Sequence, residues 1–250
     1  MMFFNHKNTE PEQSRSSNPF FYYGGNYPGE TSEPFYHSGI KNYNLRVSVA
    51  THIGKVRGNH EDNFYLEGLY MNDIFRNDFS ASYTIRYADG MSFAVFDGMG
   101  GAAYGEVASE IAVQTLRKYE KKLKHADGTR MLDQLVSSYT TEANNAICDM
   151  LTEKHCQTGG TTFSMLYFLG DAVKLYYLGD SRIYRYQTDQ LTLLTRDHTV
   201  ANQKVEAAIY TEEEAKHSPD QHRLTLFIGS DRKKTGLNAD SRPPLPLEVG

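Results

Sequence analysis

Long apolar runs are missing from this 250-residue chain, and no stretch approaches the roughly 20 residues that a bilayer-spanning helix requires. The opening MMFFNHKN has no basic segment followed by an apolar one and a small-residue cleavage site, so nothing marks it for export. Together these absences predict a cytoplasmic protein with no membrane partner. Excess basic charge is lacking too. The formal net charge is −5, acids and bases are interspersed, and no basic stripe is available to neutralise a nucleic-acid backbone. Nucleic acid is therefore not an expected partner. Cysteine is scarce. Cys148 and Cys156 stand eight residues apart in a stretch of helical pattern, a spacing that makes neither a CxxC metal knuckle nor a disulfide framework, and both read as reduced packing residues.

What is present is enough for a core: 39% of residues are hydrophobic and 12% aromatic. Residues 1–42 carry Pro11, Pro19, Pro28 and Pro34, a Gly24-Gly25 pair and many Ser, Asn and Tyr without a sustained period, which reads as a disordered or loosely attached arm. Residues 43–250 read as the folded domain. Leu45, Val47 and Val49 alternate with Arg46, Ser48 and Ala50 as in a half-buried strand. Further strands are predicted at Asn63–Glu67, Ser82–Tyr87, Ser92–Phe96, Thr161–Leu169, Val173–Gly179 and Ile183–Gln187, with a tight hairpin at Leu169-Gly170-Asp171-Ala172. Apolar residues at helical spacing predict two long amphipathic helices, from about Ala103 to Lys124 and from about Thr129 to Cys156. A shorter pair follows Asp197, the second opening at Thr211 with Glu214 three residues on as a capping box. Strand runs broken by a long helix pair, without alternating βα units, predict an α+β fold.

Five segments carry candidate chemistry. In FAVFDGMGG, Phe93 to Gly101, an apolar strand delivers Asp97 to its end, and Gly98, Gly100 and Gly101 then let the backbone turn sharply. Hard cations such as Mg²⁺ and Mn²⁺ take carboxylate and water oxygens, so Asp97 is a candidate ligand; an Asp-Gly after a strand is also an ordinary turn. In THIGKVRGNHEDNFYL the adjacent acids Glu61 and Asp62 repel unless a cation or ordered water holds them. Arg57, four residues earlier, has the fork geometry that grips a phosphate, although a solvated turn with a surface arginine explains the same residues. YLGDSRIYRY sets Asp180 in a Gly-containing bend between strands. GGTTFSMLYF, with Thr161 and Thr162, and LTRDHTV, with Asp197 and Thr199 before a helix as natural caps, read as structural.

In this order and at these separations, the GxVRxxxED opening, DGMGG, GTT, GDSRxY, LTxDH and a final Arg223-Leu224-Thr225 with Ile228-Gly229 resemble the metal-dependent Ser/Thr protein phosphatases, the PPM family, from about Val47 to Gly229. The resemblance implies a β-sandwich of two antiparallel sheets flanked by helix pairs. It also implies a centre of two Mn²⁺ or Mg²⁺ ions that activates water to hydrolyse phosphoserine and phosphothreonine. By motif position, Asp97 would bridge the two metals, the Gly98 carbonyl would bind one, Glu61 and Asp62 would hold that metal's water shell, and Arg57 would bind the substrate phosphate. Asp180 would support an auxiliary third metal. Phosphorylated Ser/Thr proteins are the implied partners, with a cognate Ser/Thr kinase beside them. Met99 stands where some relatives offer a histidine and has no proton to give, so a water or a neighbouring side chain must supply the leaving oxygen. His60, where the family pattern usually has Asn, is a candidate general acid; a partly exposed hydrogen-bonding role is the alternative.

The family pattern goes on to a further strand ending in SDGL and a later Asp-Asn pair, and neither occurs in residues 1–250. The Ser230-Asp231 pair lacks the following glycine and the preceding apolar strand, so Asp231 is not counted as a ligand. The expected fold is therefore incomplete at its C-terminus, with exposed sheet edges and one metal position short of protein charge. Two further readings compete with an ordinary phosphatase represented by a fragment: a catalytically dead phosphatase-like binding or regulatory module, and an unrelated metal-binding hydrolase sharing the acidic turns.

Overall fold

The computed structural model describes residues 2–4, 44–71, 78–99 and 104–247. Seven strands form the main sheet: β3 (Asn63–Leu66), β4 (Leu69–Tyr70), β6 (Ser92–Phe96), β9 (Phe163–Leu169), β10 (Ala172–Leu178), β13 (Asp240–Ser241) and β14 (Leu245–Pro246). Their order is β13-β10-β9-β6-β3-β4, every pairing is antiparallel, and β14 also lies on β10. The predicted hairpin is present: Leu169 faces Ala172 across the Gly170-Asp171 turn. Against one face of this sheet lie α1 (Gly105–Lys124) and α2 (Gly128–Glu153). Their buried Leu116, Tyr139, Ile147 and Leu151 meet Phe96, Phe163, Met165 and Tyr167 of the sheet. Each such side chain contributes about 1.5–3 kcal/mol by leaving water.

Behind the opposite face lies a second layer. The antiparallel pair β2 (Asn44–Thr51) and β5 (Phe79–Arg86) turns Leu45, Val47, Val49, Tyr83 and Ile85 toward Phe64, Phe93, Phe168 and Leu175. The predicted alternation of β2 holds, because its apolar residues are half-buried and the residues between them exposed. Beside this pair, β11 (Ile183–Gln187) joins β12 (Gln190–Leu193) in an antiparallel pair and takes β1 (Met2–Phe4) in parallel on its other edge. Among the described residues the second layer is thus two separate small sheets. The rest of the arm read over residues 1–42 lies outside the described residues, as does Ala103 at the expected start of α1.

Several boundaries differ from the sequence reading for identifiable reasons. The strand read as Thr161–Leu169 is broken at Thr162 into β8 (Gly160–Thr161), which pairs with β7 (Gly98–Met99), and β9. Helix α2 stops at Glu153, before Cys156, because His155 turns to φ 54° and the Cys156 amide donates back to the Leu151 carbonyl at 2.8 Å. The short helices α3 (Val200–Glu206) and α4 (Glu212–His217) are present, α4 with the predicted capping box of Thr211 and Glu214. No helix among the described residues is long and apolar enough to cross a membrane.

One ion pair ties α2 to the sheet. Lys174 of β10 is only 6% exposed, and its Nζ lies 2.5 Å from Asp133 Oδ1 on α2, which also accepts from the Tyr176 hydroxyl at 2.6 Å. Asp133→Ala would strand the ammonium in an apolar layer and should cost about 2 kcal/mol, below the range for a fully buried pair because Asp133 keeps a solvent side. Urea denaturation should show that loss, with most of it recovered in Asp133→Ala combined with Lys174→Met.

Candidate metal centre

Strand β6 is central in the main sheet, between β3 and β9, and its buried Ser92–Phe96 run carries Asp97 to one end of the sheet. The next residue is where three segments meet. Gly98 donates its amide to the Glu61 carbonyl at 3.2 Å, and a Cβ placed on it would lie 2.2 Å from the Gly105 carbonyl oxygen and 2.4 Å from that of Glu61. Only hydrogen fits there. Gly105, the first residue of α1, is also closely packed, though less tightly: a Cβ on it would approach the Gly98 carbonyl and the Glu61 carboxyl at 3.0 Å. Glu61, Gly98 and the start of α1 are therefore locked backbone to backbone. Gly100 and Gly101 lie outside the described residues.

Four carboxylates gather around this junction. Asp97 opens to solvent on one side, yet its carboxyl is pushed up to about 7, first by the protein packed around its other sides and then by repulsion from Asp62, Asp180 and Glu61. Asp62 is near enough to share a hydrogen bond with it. Asp180, in the turn between β10 and β11, is also raised, by burial first and by Asp197 next. Arg57 lies on the rim with its guanidinium 3.4 Å from Glu61 Oε2 and its side chain 72% exposed, so most of its donors face outward. The structure thus brings Asp97, Gly98, Glu61, Asp62, Asp180 and Arg57 into one neighbourhood.

His60 is placed differently. It is 7% exposed, its Nε2 has no hydrogen-bond partner among the described residues, and it lines a cavity of about 20 Å³ with Asp62, Asn63, Met71, Glu106, Ser109 and Glu110. The imidazole is therefore buried, not partly exposed as the alternative reading of the sequence expected. Asp231 is occupied locally: its Oδ2 accepts from the Gly236 amide at 2.9 Å and the Thr235 hydroxyl at 3.1 Å, closing a turn.

Two assignments change. Thr199 does cap α3, accepting from the Asn202 amide, but Asp197 does not cap. Its carboxylate takes a bidentate contact from Arg182, with Nε at 2.9 Å and Nη2 at 2.6 Å, which draws the GDSR turn onto the LTRDH segment. Thr162, read only as structural, receives the Asp97 amide on its Oγ1 at 2.9 Å and lies 2.7 Å from Ser181 Oγ. The signal for it was hydroxyls at 161, 162 and 164 at the head of an otherwise apolar strand.

The donor set suits a hard divalent cation: carboxylate oxygens, a backbone carbonyl held in a crowded junction, and a mutual repulsion that a cation would relieve. Among the described residues no three acidic, His or Cys side chains close on one point as a finished cage.

A family model for protein phosphatase 2C matches residues 69–227, beginning downstream of Glu61 and Asp62. A chain of Streptococcus pyogenes named as of the protein phosphatase 2C type is 30% identical over 186 residues, covering 74% of this chain and 68% of that one. Among solved structures, the Streptococcus agalactiae serine/threonine phosphatase superposes with a TM-score of 0.63 at 23% identity, covering 82% of this chain and 76% of the other. The catalytic domain of the serine threonine protein phosphatase PstP, solved with two manganese ions, gives a TM-score of 0.59 at 23% identity, over 84% and 75%. The α+β layering, the order of motifs along the chain and the length of the family match agree: the chain belongs to the protein phosphatase 2C family.

Proposed function

We propose that this protein is a metal-dependent phosphatase acting on phosphoserine and phosphothreonine in proteins. The observation that carries the reading is the gathering of Asp97, Asp62, Asp180 and Glu61 at the end of the central strand, beside an arginine that faces outward. Asp97 would hold both cations of a complete site, Mn²⁺ or Mg²⁺. The Gly98 carbonyl would add a ligand, and Glu61 and Asp62 would accept hydrogen bonds from coordinated water. Asp180 would serve an auxiliary cation. When bound, such cations supply Lewis acidity, drawing charge from phosphoryl oxygens and acidifying a nearby water. Arg57 would orient the phosphate through its exposed donors, loosening its long contact with Glu61 as it does so. With Met99 lacking a proton and His60 enclosed, the seryl or threonyl oxygen would leave with a proton from water. The partners of this activity are phosphorylated Ser/Thr proteins and the kinase that opposes it, and a cytoplasmic setting fits them.

The second reading, a binding module without catalysis, is favoured by one observation: no three donor side chains among the described residues already converge. The two are separated by a phosphothreonine peptide mixed with the purified protein and Mn²⁺. Release of phosphate that stops on chelation with EDTA is the expected result. Peptide binding without phosphate release, at any Mn²⁺ concentration, would leave the module reading standing.

A further inference from the structure

Asp97 follows the end of β6, Asp180 lies in the turn between β10 and β11, and the two repel each other, so something other than their side chains must fix their separation. The backbone around Asp97 is gripped twice by one residue. Its amide donates to Thr162 Oγ1 at 2.9 Å, and its carbonyl accepts the Thr162 amide at 2.9 Å. The same Oγ1 lies 2.7 Å from the hydroxyl of Ser181, the residue after Asp180. Ser181 is held from behind, because its carbonyl accepts the Ser164 hydroxyl at 2.6 Å. Thr162, in the break just before β9, and Ser164, within β9, thus both direct their hydroxyls to Ser181. On the other side of Asp180, Gly179 at φ 101° packs directly on Thr162, where a Cβ would lie 2.6 Å from Thr162 Cγ2. Gly179 is fixed in turn by His198, whose Nδ1 accepts its amide at 3.0 Å and whose own amide donates to its carbonyl at 3.0 Å.

We propose that Thr162 and Ser181 are positioning residues whose paired hydroxyls set the spacing between Asp97 and Asp180, and through it the cation affinity of the centre. The proposal rests on reading those two aspartates as cation-binding. Thr162 is 1% exposed, so water does not replace a lost hydroxyl there. Its oxygen accepts from Asp97 and can donate its own proton to Ser181, which makes the link a continuous chain from one metal-side backbone to the other. A residue filling space in the core would need only its shape, which valine reproduces.

The test is Mn²⁺ titration by calorimetry of the full chain, with thermal melting as a control for folding. Thr162→Val should weaken Mn²⁺ binding about tenfold, in the range of outer-shell metal partners, while Thr162→Ser stays within about twofold of the parent protein. Ser181→Ala should also weaken binding, and Thr162→Val with Ser181→Ala together should be little worse than Thr162→Val alone, because both remove one link. Parent-like Mn²⁺ affinity in Thr162→Val, or losses that multiply in the double variant, would overturn the bridge. If Thr162→Val does not fold, Ser181→Ala decides, since it orphans no backbone group: unchanged affinity there overturns the proposal. Asp97→Asn separates the two levels. Undiminished Mn²⁺ binding in that variant would remove the underlying reading, whereas binding lost there but kept in Thr162→Val and Ser181→Ala would remove the bridge alone.

Discussion

Asp97→Asn should abolish Mn²⁺-dependent phosphate release, by at least about a hundredfold since even outer-shell metal partners reach that figure, and should make the metal-free protein more stable. The second effect follows from the direction of the Asp97 shift. Its carboxyl titrates near 3.8 when unperturbed and is pushed up to about 7 in the folded chain, by the surrounding protein first and then by Asp62, Asp180 and Glu61. The folded state therefore holds a proton that the unfolded state has released across this window. Stability from this group is fully present below the lower value, falls as pH rises toward 7, and is flat beyond. Because Asp97 is open on one side and water screens it, the penalty at pH 8 is about 1–2 kcal/mol, well below the unscreened figure. For a chain of this size that corresponds to about 2–8 °C of melting temperature. The measurement is the difference in melting temperature between the parent and Asp97→Asn proteins in EDTA, from pH 5 to pH 8. It should widen with pH in favour of the variant. Saturating Mn²⁺ should reverse the order, because only the parent gains binding energy. A difference that does not change with pH would mean that the Asp97 carboxyl is not pushed up in the folded chain.

That pairing of lost activity with gained stability also shows what kind of information lies in the sequence. Asp97 was legible because strand and breaker are local: FAVF has the composition of a buried strand, and the glycine after it marks the end. The β2 alternation, the Gly170-Asp171 hairpin and the Thr211 capping box were legible for the same reason, since each is written within a few residues. Arg182 and Asp197 are fifteen residues apart, and either one by itself is an ordinary surface residue or helix cap. Only the docking of the LTRDH segment on the GDSR turn makes them a bidentate pair. Thr162 interrupts a strand that composition reads as continuous, and its polar grip on Asp97 spans sixty-five residues. His60 differs in the opposite sense: its neighbours in sequence point to the site, whereas its side chain is buried in a cavity lined by residues of α1. Local pattern fixes which residues reach the end of the central strand, and tertiary packing decides which of their side chains meet there.

Gly98→Ala should be among the most damaging single methyl additions to the described structure. Conformational freedom is not the reason, because Gly98 has no left-handed φ; the cause is steric and comes from backbone on two sides. At 2.2 Å from the Gly105 carbonyl and 2.4 Å from the Glu61 carbonyl, the new Cβ cannot be relieved by rotating a side chain. Either α1 must slide away from the sheet or the segment carrying Glu61 and Asp62 must lift. Overpacking of this kind costs about 3 kcal/mol or more, and at this chain length the melting temperature should fall by about 6–12 °C. Gly105→Ala meets its neighbours at 2.9–3.0 Å and gains some helix propensity, so its loss should be smaller. Gly58→Ala, with nothing within 4 Å and no left-handed φ, should stay within about 0.5 kcal/mol of the parent. Thermal melts of the three proteins should rank them Gly98, Gly105, Gly58 from most to least destabilised. Mn²⁺ affinity should fall in the same order, since the backbone that must yield is the one that carries Glu61 and Asp62 and presents the Gly98 carbonyl. A Gly98→Ala protein that melts and binds Mn²⁺ like the parent would show that α1 and the Glu61 segment are not locked against the end of the central strand.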